Sequence, residues 1–485
     1  MGAADQSDKA AGGAAGGAAD EAGDETVPEQ RMNNLEHLMW LLESDPHLTS
    51  QFANITMLDT VPDVDRLRTR LERAAQLVPR LHQRVEEAPA RLAPPCWRTD
   101  PDFDIDRHFQ VTELPPAFQR PGGLEQFACE LNGQPLPRDR PLWAFVLVTG
   151  LQGGGAAMIQ RMDHTVMDGE GGLRMSMAFM DLERDADDPP AAQAVPEPEV
   201  EPSGSLFGGL LGAVGHQARR RFDETLHGMG EAIDHVRHPT RLAETTGELV
   251  DLASSLARQS RSVDRRLSPL WTERSLDRAL ATLDVSLADV VDAAHAAGVT
   301  VNDVFTTAVV EAAVQLHVAA GTTPTEFRVA VPISTRNGQS GTNLFSPTLT
   351  LLPASPELTP QDRLAAISAT MTVAKEEPSV SAMGSLASGA LLVPTPLLRS
   401  TGRWVTSHID LVLSNLRAAP FDTFMAGALA EANYPLGPLT CAAANITTMS
   451  YRGVLNIGVH TDSAAILDAT EFADAIEQAF SVLTN

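Results

Sequence analysis

Two apolar runs separated by glycines form the most regular hydrophobic pattern in the first half of the chain. Residues 141–148 are apolar at nearly every position, which is typical of a strand buried on both faces. Three glycines at 153–155 then precede a second apolar run at 157–162. A short glycine connection between two such runs predicts a β-hairpin. We expect its second strand to lead directly into Asp163 and His164.

Helical periodicity occurs on both sides of this hairpin. After Pro62, apolar side chains recur at positions 64, 67, 71, 74 and 78, the stripe expected of a helix laid on a sheet. Residues 287–297 stand between Ser286 and Gly298 and predict a helix capped at both ends. Further helices are predicted to begin near 300, 359 and 468.

Strands predicted near 327–332, 346–352, 411–414 and 453–459 are interspersed with these helices. The mixture predicts the α/β (α+β) fold class in both halves of the chain. A chain of 485 residues is too long for one ordinary core. We expect a first lobe at 30–185, a Pro-rich linker and helical connection at 186–266, and a second lobe at 267–485. A cleft is expected where the lobes meet.

The terminal and connecting segments differ from the lobes in composition. Residues 1–29 are rich in Ala, Gly and acidic residues and lack the pattern of a signal peptide, so they predict a disordered acidic tail. An apolar run at 206–211 beside a basic run at 219–222 fits either a helix at a membrane interface or a solvated helix between the lobes. The apolar stretch 378–398 is interrupted by glycines and prolines. These interruptions favour a segment that lines a cavity or contacts a membrane surface over a helix that spans a membrane.

Charge and cysteine content narrow the function classes. The formal net charge is −27, which argues against broad nucleic-acid binding because phosphate contacts need a basic face. The cysteines, Cys96, Cys129 and Cys441, are odd in number and widely spaced. They predict neither a disulfide framework nor a cysteine-rich metal site, and a reducing, cytoplasmic location is the simplest interpretation.

The strongest candidate for chemistry follows the hairpin. His164 is separated by three residues from Asp168, and Gly169 comes next. An imidazole with an ordinary pKa of ~6.5 can take and return a proton near neutral pH, which suits acyl transfer to a hydroxyl. A glycine permits a tight turn into the helix predicted after it. The alternative is that His164 is an ordinary histidine, but its place at the end of a hairpin favours an active-site loop.

The assembled motifs resemble those of the bacterial wax ester synthase/diacylglycerol acyltransferase family, a branch of the CoA-dependent acyltransferases. The family's H-H-x-x-x-D-G motif is matched by residues 163–169, and its Pro-Leu-Trp signature by 141–143. The resemblance continues through Phe-Asp-Ile-Asp at 103–106, Thr-Val-Asn-Asp at 300–303 and several C-terminal segments. It covers most of the chain.

One position departs from the family motif, because Asp163 replaces its first histidine. The resemblance makes the second histidine, His164, the base. The Asp163 carboxylate would raise the pKa of His164 if it lay close, or would point to the opposite face if strand geometry persisted. In the second case Arg161 shares its face, and an ion pair between the two is expected.

The resemblance implies two chloramphenicol-acetyltransferase-like lobes with an active-site tunnel at their interface. Acyl-CoA would be the co-substrate, diacylglycerol or a long-chain alcohol the acceptor, and no metal or other cofactor would be needed. His164 would deprotonate the acceptor, and Asp168 would hold the loop. Asn302 would shape the cleft or stabilise the oxyanion, although Asn302 and Asp303 also fit the first turn of a helix.

Two other functions remain open from the sequence. A condensation-type enzyme would use the same base on carrier-bound acyl groups, but the chain lacks the G-x-D-S-L attachment motif of a carrier domain. A catalytically weakened lipid-binding homologue is suggested by Asp163. For an acyltransferase of this kind, a peripheral location at the inner face of the membrane or on lipid droplets is expected.

Overall fold

Two six-stranded sheets organise the part of the chain that the structure describes. This computed structural model describes residues 31–88, 93–167, 169–187, 265–334, 345–375, 390–391 and 393–485. The predicted tail, the runs at 206–211 and 219–222, most of the apolar stretch 378–398, and Asp168 lie outside the described residues.

The structure places strands in both halves of the chain. They are β1 (Gln51–Leu58), β2 (Gln83–Glu86), β3 (Cys96–Thr99), β4 (Phe109–Glu113), β5 (Trp143–Thr149), β6 (Ala156–Asp163), β7 (Arg278–Ser286), β8 (Glu326–Ser334), β9 (Phe345–Pro353), β10 (Leu411–Arg417), β11 (Phe424–Met425), β12 (Ala428–Leu436), β13 (Ala444–Tyr451) and β14 (Val454–Asp462). The α-helices are α1 (Asn34–Leu42), α2 (Val64–Leu77), α3 (Gly123–Gly133), α4 (Gly169–Ser176), α5 (Leu287–Ala297), α6 (Val301–Ala319), α7 (Pro360–Lys375), α8 (Thr395–Thr406) and α9 (Ala469–Thr484). The predicted α/β class is confirmed.

Local signals in the sequence correctly predict about half of these elements. The hairpin is confirmed, because β5 and β6 pair antiparallel with Trp143 opposite Met162. The helix predicted at 287–297 is α5, with the Ser286 side chain accepting from a backbone N–H at its start and Gly298 in the left-handed conformation at its end. Three helices (α1, α3 and α8) and eight strands (β1–β4, β7 and β11–β13) were not among the predicted elements.

The first sheet contains strands from both halves of the chain. Its order is β11-β12-β1-β6-β5-β4, and β12 pairs antiparallel with β1. Residues 424–436, which the prediction assigns to the second lobe, thus supply two strands of the first sheet. The physical reason is that β1 would otherwise be an unpaired edge, and the later strands satisfy its backbone hydrogen bonds.

The second sheet, ordered β7-β14-β13-β10-β8-β9, carries α5, α6, α7 and α9. Helix α6 lies at the centre of this lobe's core, with residues such as Phe305, Val309 and Ala313 fully buried. Among the described residues no single helix is long and apolar enough to span a membrane. Only α5 and α6 taken together have that length and composition, and they are bent by 100° at their break.

The two sheets meet where β12 crosses β13 and β14. A Cβ added at Gly458 of β14 would lie 1.9 Å from the carbonyl oxygen of Pro435 in β12. Glycine is therefore required for this close approach of two backbones. The contact fixes how the first sheet sits against the second, and Pro435 also lines the apolar cavity described below.

Candidate active site

The hairpin and the strand beside it position His164. Strand β6 ends at Asp163, and β1 pairs with it so that Gln51 lies opposite Asp163 and Phe52 opposite Met162. The chain then turns, with the Val166 amide donating to the Asp163 carbonyl at 3.0 Å, before α4 begins at Gly169. His164 thus lies in a strand-to-helix turn, as the sequence predicted.

The imidazole of His164 is half-buried and packs on an aromatic ring. Its centroid lies 4.7 Å from that of Phe52, with the two ring planes tilted by 49°. Phe52 and Met162 also line a cavity of about 330 Å³ on this face of the first sheet. His164 therefore packs against a residue of the cavity wall, and its own side chain keeps partial access to solvent.

This first cavity lies between the face of the first sheet, helix α4 and the segment that follows β10. Most of its lining is apolar, including Phe145, Met175, Met180, Phe421 and Met449. Flexible methionine side chains adapt to irregular apolar ligands. An apolar space of this size beside an imidazole suits a fatty chain.

Asp163 points to the other side of the motif. Its side chain is buried, and Oδ1 accepts hydrogen bonds from the Thr165 amide at 2.8 Å and the Thr165 hydroxyl at 2.6 Å. These bonds close an Asx turn around His164. Burial raises the pKa of the Asp163 carboxyl, while the Thr165 hydrogen bonds and Arg138 oppose that rise.

The expected ion pair between Arg161 and Asp163 is not the arrangement that the structure contains. Arg161 does lie on a buried position of β6, but its guanidinium donates to the Gln134 carbonyl, and burial lowers its pKa to about 10. Asp163 is instead bound by Thr165. The turn amide competes successfully for the carboxylate because it is only two residues away.

A second cavity of about 460 Å³ lies on the Asp163 side of the motif. Its lining includes the carboxyls of Glu43 and Asp163, the guanidiniums of Arg138 and Arg278, and the Trp40 ring. The Arg138 guanidinium stacks 3.8 Å from the centre of that ring. The motif therefore separates an apolar cavity from a charged one.

Glu43 is a site residue that the sequence did not indicate. Its carboxylate accepts from the Ser50 amide at 2.7 Å, from the Ser50 hydroxyl at 2.8 Å and from the Thr49 hydroxyl. Burial and the nearby Asp163 carboxylate raise its pKa to about 7. Glu43 follows α1 and is far from Asp163 in sequence, so only the pairing of β1 with β6 brings them together.

The structure assigns Asp303 to a helix cap. Its carboxylate accepts from the Thr300 backbone amide at 2.9 Å and from the Thr300 hydroxyl at 2.8 Å, while its own amide donates to that hydroxyl. The Ser368 hydroxyl of α7 also donates to it at 3.2 Å. Asn302 lies beside it, half-buried in the first turn of α6. A cleft or oxyanion role for Asn302 stays a prediction.

The remaining motif residues are only partly described. The backbone of Gly169 begins α4, whereas Asp168 lies outside the described residues, so its predicted loop-holding role stays a prediction. All three cysteines are free and buried. The described residues contain no group of three or more His, Cys, Asp or Glu side chains arranged to hold a metal ion.

Two family models match the chain. The wax ester synthase/diacylglycerol acyltransferase catalytic domain matches residues 30–305, and the C-terminal domain of the same family matches residues 342–484. The chain belongs to this family. The match to the acyltransferase catalytic domain includes the complete motif at 163–169, and thus the turn that carries His164.

Relatives in this acyltransferase family span nearly the whole chain. A putative diacylglycerol O-acyltransferase of Mycobacterium tuberculosis (strain H37Rv) is 31% identical over 477 residues, covering 92% of this chain and 90% of the relative. A probable diacylglycerol O-acyltransferase, Tgs4, of the same strain is 27% identical, covering 80% of this chain and 82% of its own.

Solved structures share the fold of this acyltransferase. The wax ester synthase/diacylglycerol acyltransferase from Marinobacter aquaeolei VT8 superposes with a TM-score of 0.61 at 20% identity, covering 94% of this chain and 98% of the other. The first condensation domain of the CDA synthetase gives a TM-score of 0.58 at 16% identity, covering 94% and 95%. The two-lobe fold expected from the sequence is thereby confirmed.

Proposed function

We propose that this protein transfers a long-chain fatty acyl group from acyl-CoA to the hydroxyl of diacylglycerol or a long-chain alcohol. The products are a triacylglycerol or a wax ester and free CoA. One observation supports the proposal: His164 of the family motif packs on Phe52, and Phe52 lines an apolar cavity large enough for a fatty chain. The names of the mycobacterial relatives support diacylglycerol as an acceptor.

The chemistry requires one base and two bound substrates. His164 removes the proton of the acceptor hydroxyl as the oxygen attacks the thioester carbonyl. The C–S bond then breaks, and the imidazolium returns its proton to the CoA thiolate. A general base accelerates such a reaction by a factor of about 10² to 10⁴. Because the enzyme holds both substrates in place at once, no covalent enzyme intermediate is needed.

The turn supports this role through Asp163 rather than through a second imidazole. Its Oδ1 holds both the amide and the hydroxyl of Thr165, so the backbone on either side of His164 is fixed. Because the carboxylate faces the second cavity, it leaves the apolar side of His164 to the reacting groups. The substitution in the family motif is therefore compatible with catalysis.

Acyl-CoA as the donor agrees with a structural neighbour. The starter condensation domain of rhizomide synthetase, TM-score 0.57, was solved in complex with C8-CoA. We also propose a cytoplasmic protein that works peripherally at the inner face of the membrane or on lipid droplets, because its acceptor is a lipid. Flotation of purified protein with lipid droplets or vesicles tests this location.

A condensation-type reaction on carrier-bound acyl groups is the second candidate function, favoured by the fold that this chain shares with condensation domains.

One experiment separates the candidate functions. Purified protein is incubated with labelled palmitoyl-CoA and either diacylglycerol or hexadecanol. Labelled triacylglycerol or wax ester supports the proposal. Transfer only from an acyl-carrier protein supports the second candidate, and tight acyl-CoA binding without turnover supports a lipid-binding role.

A further inference from the structure

Four polar side chains of the first sheet line the mostly apolar first cavity, whose other polar lining residues include Ser176, Thr423 and the exposed Arg174 and Arg417. The four are Gln160 of β6, Asn54 and Thr56 of β1, and Asn433 of β12, and we call them the polar row. The strand register aligns them, since Asn54 lies opposite Gln160 and Thr56 opposite Asn433. Residues at alternate positions of a strand face the same side, so the row shares the face that carries Phe52 and Met162.

The members of the polar row are bonded to one another. The Thr56 hydroxyl donates to Asn433 Oδ1 at 2.7 Å, and Asn54 Nδ2 donates to the same oxygen at 3.1 Å and to the Thr56 hydroxyl at 3.0 Å. Thr56 is 1% exposed and Asn433 is 8% exposed. The row is thus a buried hydrogen-bond network, and Thr56 is at its centre.

The network does not use its full hydrogen-bonding capacity within the part of the chain that the structure describes. Asn54 Oδ1 is buried without a hydrogen-bond partner there. In the same part of the chain, Asn433 Nδ2 donates no hydrogen bond, because the bonds of that side chain all end on its oxygen. Unused buried polar groups cost free energy, and a ligand that pairs with them recovers it.

The row lies at a defined distance from the base. Strand residues rise ~3.3 Å each, so Asn54 is about 7 Å and Thr56 about 13 Å along β1 from Phe52, whose ring packs on His164. A fatty chain that enters the cavity with its reacting end beside His164 therefore passes over the row with its middle portion. An unsubstituted chain would offer the row no hydrogen-bonding group.

We propose that the polar row determines specificity for a fatty chain that carries a hydroxyl group near its middle. A hydroxyl both donates and accepts, and the row presents both an amide donor and amide acceptors. The row itself is uncharged, and Arg174 and Arg417, the arginines of the same cavity lining, are exposed, so the row fits a neutral oxygen rather than an ionised group. This inference rests on the proposed acyl transfer at His164 and adds the substrate class.

The mid-chain hydroxyl can belong either to the acyl donor or to the alcohol acceptor, and two separate assays distinguish these cases. In one arm, mid-chain hydroxystearoyl-CoA and stearoyl-CoA are compared as donors to hexadecanol. In the other arm, stearoyl-CoA is the donor, and a long-chain alcohol with a second, mid-chain hydroxyl is compared with hexadecanol. We expect kcat/KM to be about fivefold higher for the hydroxylated substrate in one arm, the value of one net hydrogen bond.

Thr56→Val tests the row, because it removes the central hydroxyl and nearly preserves the side-chain shape. It should reduce the preference to within about twofold, whereas Thr56→Ser, which keeps the hydroxyl, should retain it. Met449→Leu changes an apolar residue of the same cavity and serves as the matched control, with the preference unchanged. Equal use of hydroxylated and plain substrates in both arms by the unaltered protein overturns the proposal. A preference that survives Thr56→Val does the same.

Failure of the catalytic proposal gives a different result. If no donor and acceptor pair is turned over, the row is tested by calorimetric binding of mid-chain hydroxystearic acid and stearic acid. Tighter binding of the hydroxylated acid, lost in Thr56→Val and kept in Thr56→Ser, supports the row in the absence of turnover. Equal affinity for the two acids overturns it.

Discussion

His164 illustrates what a single side chain contributes when it lies in a turn rather than in a core. Because the imidazole is half-buried and packs mainly on Phe52, His164→Ala should leave the fold intact. We expect the rate of acyl transfer to fall by about 10² or more, the size of a general base effect. His295→Ala, at an exposed position of α5, is the control. Retention of more than about a tenth of the turnover, with an unchanged melting temperature, excludes His164 as the base.

Asp163 stabilises the turn around His164 through one atom, its Oδ1. Asp163→Asn keeps an Oδ1 acceptor for the Thr165 amide and should preserve most of the stability and activity, whereas Asp163→Ala loses both hydrogen bonds. The alanine variant should lose about 1–3 kcal/mol of unfolding free energy and much of kcat, because the turn around His164 loosens. Denaturant titration and steady-state kinetics measure the two effects. Equal losses in the two variants mean that charge, rather than the turn, is what matters.

The raised pKa of Glu43 leads to a prediction of how the stability of the protein changes with pH. Its folded-state pKa is raised from 4.5 to about 7, so the folded protein binds more protons than the unfolded chain across that window. Stability therefore decreases as pH rises through it, by on the order of 3 kcal/mol for a shift of this size. Glu43→Gln cannot titrate, and its denaturant-derived stability should change less between about pH 5 and pH 8.

A matched variant isolates the Glu43 effect. Glu477→Gln, at an exposed position of α9, removes one carboxyl elsewhere and should keep the pH dependence of the unaltered protein. The Glu43 interpretation fails if both glutamine variants follow the same stability profile. It also fails if Glu43→Gln loses stability more steeply as pH rises.

At the scale of elements, the contact between β12 and β14 depends on a glycine, which has no side chain. A Cβ at Gly458 would overlap the Pro435 carbonyl oxygen, a backbone atom that has no rotamer with which to move away. Gly458→Ala should therefore cost about 1–3 kcal/mol or more, as in other overpacked sites. Gly133→Ala places a Cβ in open space at the end of α3 and should be close to neutral. Comparable melting temperatures for the two variants contradict the close contact.

At the scale of the whole molecule, the first sheet is incomplete without the C-terminal half of the chain. A fragment of residues 30–187 lacks β11 and β12, so β1 would present an unpaired edge. We expect it to aggregate or to lack a cooperative thermal transition. Co-expression with residues 265–485 should restore a soluble complex. A soluble fragment 30–187 with a cooperative melt and native near-UV dichroism shows that the later strands are dispensable.

The sequence by itself determined many of the local elements and predicted His164 as the base. The hairpin, the caps of α5 and the turn at His164 depend on residues a few positions apart, whose periodicity and capping side chains are visible in one dimension. The motif at 163–169 also made the family evident, because it occurs in order with the family's other segments and the set is specific in combination.

Only the tertiary structure decided which strand lies beside which, and therefore what surrounds His164. Thr56 and Asn433, bonded to each other, are 377 residues apart, and Glu43 meets Asp163 only through the pairing of β1 with β6. Backbone hydrogen bonds between strands are the same for nearly any pair of residues, so the partner of an edge strand is set by packing of the whole sheet. The physical consequence is that the turn carrying His164 is encoded locally, whereas the two cavities beside it are properties of the assembled fold.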